Sequence, residues 1–126
     1  MRLQEVGIIH SPYLTRKDAP RQGHLSVEKC VIEVYEDFAP ALYKIENYEH
    51  LVILYWLHQG TRETLQVYPR GKGDLKGVFA TRSPDRPNPI GLSVVKLIAI
   101  EGRFLTVVGL DAIDHTPLLD IKPALD

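Results

Sequence analysis

The run "LVILYWLH", Leu51 to His58, is apolar at every position but its last. Forty residues on, "GLSVVKLIAIEGRFLTVVGL", Gly91 to Leu110, holds two more apolar stretches that meet at Glu101-Gly102-Arg103. Runs this short, rich in β-branched and aromatic residues, are strand signals. The first run predicts a strand buried on both faces. The second predicts a hairpin whose tight turn is supplied by Gly102. "LQEVGIIH" and "KCVIEVY" add strands with partial alternation, "LQVY" adds a short one stopped by Pro69, and "GVFATR" extends toward a proline-rich loop. Helix has little room. Asp37 is placed to cap a short one through "FAPALYKIENY", with Pro40 restricting it to the first turn. Closely spaced strands without βαβ alternation predict a mainly all-β fold, a small β-barrel with at most one or two short helices. They argue against a doubly wound, Rossmann-type sheet.

The chain has 126 residues, 44% of them hydrophobic and 25% charged, so one domain over residues 1–126 is expected, with no additional C-terminal domain. No apolar run reaches the roughly 18 residues of a membrane span. The N-terminal "MRLQEVGIIHSPY" does not read as a signal peptide, and the expected location is the cytoplasm. Cys30 is the only cysteine, which rules out an internal disulfide and reads as a small buried hydrophobe. A net charge of −1 argues against a surface coated for non-specific nucleic-acid binding, though not against a local basic face.

Four polar, irregular segments lie between the strands: 11–26, 58–77, 80–93 and 111–123. Loops this long in a small domain usually carry function. "RGKGDLKG" lacks the ending of a P-loop and reads as a flexible basic turn, with a phosphate-contacting loop as the alternative. His50 and His58 flank one strand, and eight residues of strand span about 26 Å, so they cannot share an ion. No zinc spacing and no nucleophile elbow is present.

"ATRSPDRPNPIGLS", Ala80 to Ser93, packs Pro84, Pro87 and Pro89 into six residues. Each proline fixes its own φ, removes an N–H, and biases the residue before it toward extended backbone. A loop stiffened in this way can hold Arg82, Arg86 and Asn88 in place, the arginines for a carboxylate or phosphate and the amide for an amino-bearing base edge. It can equally be a rigid crossover whose arginines bond to core carbonyls or acids, and spacing leaves both readings open. In "DAIDHTPLLDIKP", Asp114 and Thr116 before Pro117 form a turn signal. Asp114 there is also a candidate partner for an amine or a ribose hydroxyl.

Together, "PRQ" (Pro20 to Gln22), "HLVILYWLHQ" (His50 to Gln59), "GVFATRSPDRPNPIGLS" (Gly77 to Ser93) and "DAIDHTPLLDIKP" (Asp111 to Pro123) resemble the TsaA-like, or TrmO-like, family of tRNA methyltransferases over nearly the whole chain. The resemblance implies a small non-Rossmann β-barrel that uses S-adenosylmethionine and works as a homodimer with its site near the subunit interface; the histidine spacing separately predicts no metal site. The implied reaction methylates the exocyclic amino nitrogen of threonylcarbamoyl-adenosine beside the tRNA anticodon. By the same resemblance the cofactor contacts are Pro20, Arg21, Gln22, His58, Gln59, Arg82, Leu92, Asp114, His115, Thr116 and Pro117. The family carries glycine where this chain has His115.

For the chemistry itself, Asn88 or a carbonyl of its turn is expected to accept from the amine, and Arg86 to take a carboxylate or phosphate of the substrate. The tRNA-facing rim is expected from Arg62, Arg70, Lys72, Lys76, Arg82 and Arg86, with Arg16, Lys17 and Arg21 as a second cluster. Two alternatives stand beside this reading. One is a sensor that binds S-adenosylmethionine without transferring the methyl; the other is a methyltransferase for another substrate.

Overall fold

A computed structural model describes residues 1–20, 28–71 and 73–125 of the chain. Among these residues eight strands run in chain order as β1 (Gly7–His10), β2 (Lys29–Val34), β3 (His50–Trp56), β4 (Gln66–Val67), β5 (Lys76–Gly77), β6 (Ile90–Glu101), β7 (Phe104–Val108) and β8 (Thr116–Pro123). Six of them close into a barrel in the order β1-β2-β7-β6-β3-β8, and β4 and β5 form a separate two-stranded ribbon. Every neighbouring pair in the barrel is antiparallel. The fold is therefore mainly β, and it is not Rossmann-type.

Alternation decides what lies inside. Cys30, Ile32 and Val34 of β2 point inward, as do Leu51, Ile53 and Tyr55 of β3, Leu105 and Val107 of β7, and Leu118 of β8; all are buried. Burial pushes the Cys30 thiol up from its ordinary value, in keeping with a small core hydrophobe. The β6–β7 hairpin turns at Gly102, whose φ of 60° suits the first central position of a two-residue turn.

Several expectations are corrected. β3 is not buried on both faces, because Val52, Leu54 and Trp56 are only half-buried. A closed barrel has one interior, so this strand's second apolar face points outward. The outward residues of adjacent β6, Ile90, Leu92 and Val94, are exposed. "GVFATR" is not a strand; after Gly77 the chain makes a single 3-10 turn over Val78–Ala80, with Val78 buried. Asp37 caps nothing, since the segment Glu36–Leu42 is a 3-10 helix that begins after Tyr35 and contains both Asp37 and Pro40. Gly71 and Gly73 of "RGKGDLKG" lie between β4 and β5 and take φ of 75° and 89°, as turn glycines do.

Close approach of backbones also has a sequence mark. A Cβ on Gly7 would lie 2.2 Å from the backbone oxygen of Glu33, its diagonal neighbour on β2. That oxygen cannot move without disturbing the β1–β2 ladder. Gly7→Ala is therefore expected to lose about 1–3 kcal/mol, as overpacking does. Urea denaturation reads this as a lower midpoint, and an unchanged midpoint would contradict the register.

Candidate functional site

The three prolines leave the segment 80–93 with more carbonyls than N–H donors, and the structure shows what fills the deficit. Arg86 Nη1 donates to the carbonyls of Thr81 (2.9 Å) and Ser83 (3.1 Å), and Nη2 donates to that of Val78 (2.9 Å). Arg62 Nε donates to the Pro87 carbonyl at 2.9 Å, and its Nη2 to the Asn88 side-chain oxygen at 3.2 Å. The Arg62 guanidinium lies over the Trp56 ring, 5.3 Å from its centroid. Backbone N–H groups of Leu57 and Ile90 take the carbonyls of Pro89 and Asn88. From the other side, Thr61 N donates to Asp85 Oδ1, and Arg86 N donates to the Thr61 carbonyl. The loop after β3 and the proline loop are thus one stitched unit.

This unit forms one wall of a cavity of about 730 Å³ at an end of the barrel, within the range typical of small-molecule sites. Pro20, His58, Gln59, Arg82, Leu92 and Thr116 line it, so residues from all four motif segments meet there. Arg86 also lines it, although its guanidinium is held by carbonyls. Asn88 is not among the lining residues, and its oxygen is engaged by Arg62. The bonded positions of both follow the rigid-crossover reading of the loop. Arg21 and Gln22 lie outside the described residues, as does Lys72.

Asp114, His115 and Pro117 are not on the cavity wall. Asp114 fastens the first long loop to the last strand. Its Oδ1 accepts from Ser11 N at 2.9 Å, and its own N–H donates to the Tyr13 carbonyl at 2.6 Å. His115 stands at φ 67°, in the left-handed region, with Nδ1 3.2 Å from Asp114 Oδ2. Glycine adopts this φ without steric cost, and histidine is among the residues enriched there. The imidazole points to the outside, edge-on to His10 with centroids 6.2 Å apart.

The sequence reading missed the cavity floor. The Tyr55 hydroxyl donates to Asp111 Oδ1 and sits 2.8 Å from Ser93 Oγ, which donates to the same Asp111 oxygen at 3.3 Å. All three residues line the cavity. The Tyr55 ring lies against Gly91, where a Cβ would come within 2.3 Å of it. Burial, and then the Asp111 carboxylate, push the Tyr55 phenol well above its ordinary value; Ser93 and the charge of Arg82 act the other way. A signal for this group did exist, because Tyr55 and Ser93 are the residues with polar tips at inward positions of β3 and β6. Among the described residues no group of three or more potential ligands could hold a metal ion.

The raised phenol has a consequence for stability. In the unfolded chain a tyrosine ionises near 10.0, whereas folded Tyr55 stays protonated there. Its contribution is complete below that value and is lost as pH rises above it. Tyr55→Phe is expected to show a shallower fall of Tm above about pH 10 than the parent protein. Tyr35, pushed up to about 12 by its bond to Glu5, contributes the same slope to both. Identical slopes in parent and variant would contradict a protonated, buried Tyr55.

The sequence matches the family described as tRNA-methyltransferase O N-terminal domain over residues 8–126. It is 46% identical over 122 residues to the S-adenosyl-L-methionine-binding protein of Archaeoglobus fulgidus, covering 97% of this chain and 88% of that one. It is 38% identical to the tRNA (adenine(37)-N6)-methyltransferase of Escherichia coli, covering 98% of this chain and 57% of that one. The crystal structure of TrmO from Pseudomonas aeruginosa superposes with a TM-score of 0.82 at 34% identity, covering 99% of this chain and 56% of that one. The chain therefore spans little more than half the length of the last two proteins.

Proposed function

Because the chain belongs to the family of tRNA-methyltransferase O N-terminal domains, we propose that it is an S-adenosylmethionine-dependent tRNA methyltransferase. The proposed acceptor is the exocyclic amino nitrogen of threonylcarbamoyl-adenosine beside the anticodon. The observation that carries this reading is the convergence of four distant segments on one cavity, with Pro20, His58, Gln59, Arg82, Leu92 and Thr116 on its wall.

The lining suits such a cofactor. Its walls include the apolar Leu57, Ile90, Leu92 and Ile113, and its few polar groups, Tyr55, Ser93, Asp111 and Arg82, suit the ends of a dipolar ligand. When bound, S-adenosylmethionine supplies a methyl group on a positively charged sulfur. The chain's own task is then mainly to position, since correct alignment of nucleophile and methyl group is worth several orders of magnitude in rate. Arg86 and Asn88 serve this reading as positioning residues. Arg86 ties three carbonyls of the proline loop together, and Asn88 is fixed by Arg62. Direct contact between Arg86 and the substrate would require breaking those bonds. Arg21 and Gln22 are proposed as further cofactor contacts, and Asp114, His115 and Pro117 are proposed to support the cavity wall from behind. Lysines and arginines of the β4–β5 ribbon and the Arg16 region are proposed as the tRNA-facing rim.

A second copy of the chain is proposed to cover the exposed apolar row Ile90, Leu92 and Val94 beside the cavity, which would place the site near a dimer interface. No helix among the described residues is long and apolar enough to cross a membrane.

The second reading, a binding protein that holds S-adenosylmethionine without transferring the methyl, is favoured by one observation. The Archaeoglobus relative, 88% of whose length is matched, is called a binding protein. Incubation with methyl-labelled cofactor and tRNA separates the two. Label is expected in tRNA that carries the threonylcarbamoyl group and not in tRNA that lacks it, from a protein that sediments as a dimer. Tight cofactor binding with no label in either tRNA would favour the binding protein, and sedimentation as a monomer would remove the proposed interface.

A further inference from the structure

The charged side chains around the cavity fall into two groups. Arg86 is held by carbonyls, and Arg16 Nη2 lies 3.5 Å from Asp85 Oδ2. Asp111 and Arg82 differ. Asp111 accepts from two hydroxyls, both at Oδ1, and has no ion pair among the described residues. Arg82 has no hydrogen bond and no ion pair among the described residues, although its charge reaches the Tyr55 hydroxyl. Both line the same cavity and they do not pair with each other.

Asp111 is half-buried, where a charge without a counter-charge is costly, and Arg82 is exposed at the cavity; complementary charges left apart on one concave site are matched by a ligand that carries both signs. Tyr55 and Ser93 hold Asp111 by one oxygen, Oδ1, and leave Oδ2 without a hydrogen bond among the described residues. The carboxylate is thereby oriented before any ligand arrives. A planar guanidinium such as that of Arg82 suits a carboxylate in the bidentate manner.

We propose that Asp111 and Arg82 hold the two ends of one zwitterionic α-amino acid group, the ammonium on Asp111 and the carboxylate on Arg82. This rests on the cofactor reading above and adds a direction to it. The methionine end of the cofactor lies toward the Tyr55–Ser93–Asp111 floor, and the nucleoside lies against the apolar wall of Ile90 and Leu92. Asp111 is thus a binding residue, with Tyr55 and Ser93 as its positioning residues.

Calorimetric titration of the whole chain tests this without tRNA. The probes are S-adenosylhomocysteine and 5′-methylthioadenosine, which share the nucleoside and the sulfur but differ in the amino acid group. The parent protein is expected to bind S-adenosylhomocysteine more tightly. Asp111→Asn and Arg82→Gln are each expected to weaken that ligand about 10- to 100-fold, the range for a hydrogen bond to a charged group, and to leave methylthioadenosine unchanged. Arg82→Gln carries the test alone if the Asp111 variant does not fold. Variants that bind S-adenosylhomocysteine like the parent, or that lose both ligands by the same factor, would overturn the assignment. A parent protein that binds neither ligand would overturn the cofactor reading with it, whereas unlabelled tRNA alone would leave this assignment standing.

Discussion

Strand β8 is hydrogen-bonded along both edges, to β1 on one side and β3 on the other, and this double pairing turns a sheet into a barrel. Closure removes the open edges that a lone sheet would present. It also fixes the barrel's interior, and hence which residues face it. Just ahead of β8 the chain reverses at Asp114 and His115. Asp114 ties the first long loop down, the His115 N–H donates to the Ile9 carbonyl of β1, and Thr116 Oγ1 donates to the Ile113 carbonyl. The left-handed backbone at His115 is what lets β8 start in register. It gives a physical account of the glycine in the related motif, since a residue with no Cβ meets no steric barrier at that φ.

With the barrel closed, the proline loop becomes a wall. Prolines remove donors as well as freedom, and a loop that buries carbonyls needs donors from elsewhere. Arg86 and Arg62 provide them from inside and outside the loop. The arginines that sequence reading marks as ligand-binding are therefore of two kinds. Arg86 holds the wall together, and Arg82 is left for something else. The same contrast separates Asp85, which accepts from Thr61 N and pairs with Arg16, from Asp111 on the floor.

The strands, the Gly102 turn and the barrel were legible because short apolar runs and a glycine at a tight turn report local physics. The inward and outward faces of β3 were not legible, because both are apolar and only closure distinguishes them. "GVFATR" read as a strand by composition, but a single 3-10 turn buries Val78 and presents its carbonyl to Thr81 and Arg86. The four motif segments were found, yet their roles needed distances. Asn88 and Arg86 carry the chemistry of ligand contacts by residue type, and it is their partners, Arg62 and three carbonyls, that show them bonded within the protein. The Tyr55–Ser93–Asp111 group joins residues 38 and 56 positions apart, so nothing local marks it. Its trace in the sequence is two polar tips in the inward register of apolar strands.

The central claim is that one cavity, walled by the proline loop and floored by Tyr55, Ser93 and Asp111, receives the cofactor. Amide chemical shifts recorded while S-adenosylhomocysteine is added test it most directly. The largest changes are expected at His58 and Gln59, at Arg82, at Gly91 to Ser93, and from Asp111 to Ile113. Changes confined to the groove between Ala39 to Glu46 and the β6–β7 turn, with these amides still, would contradict it.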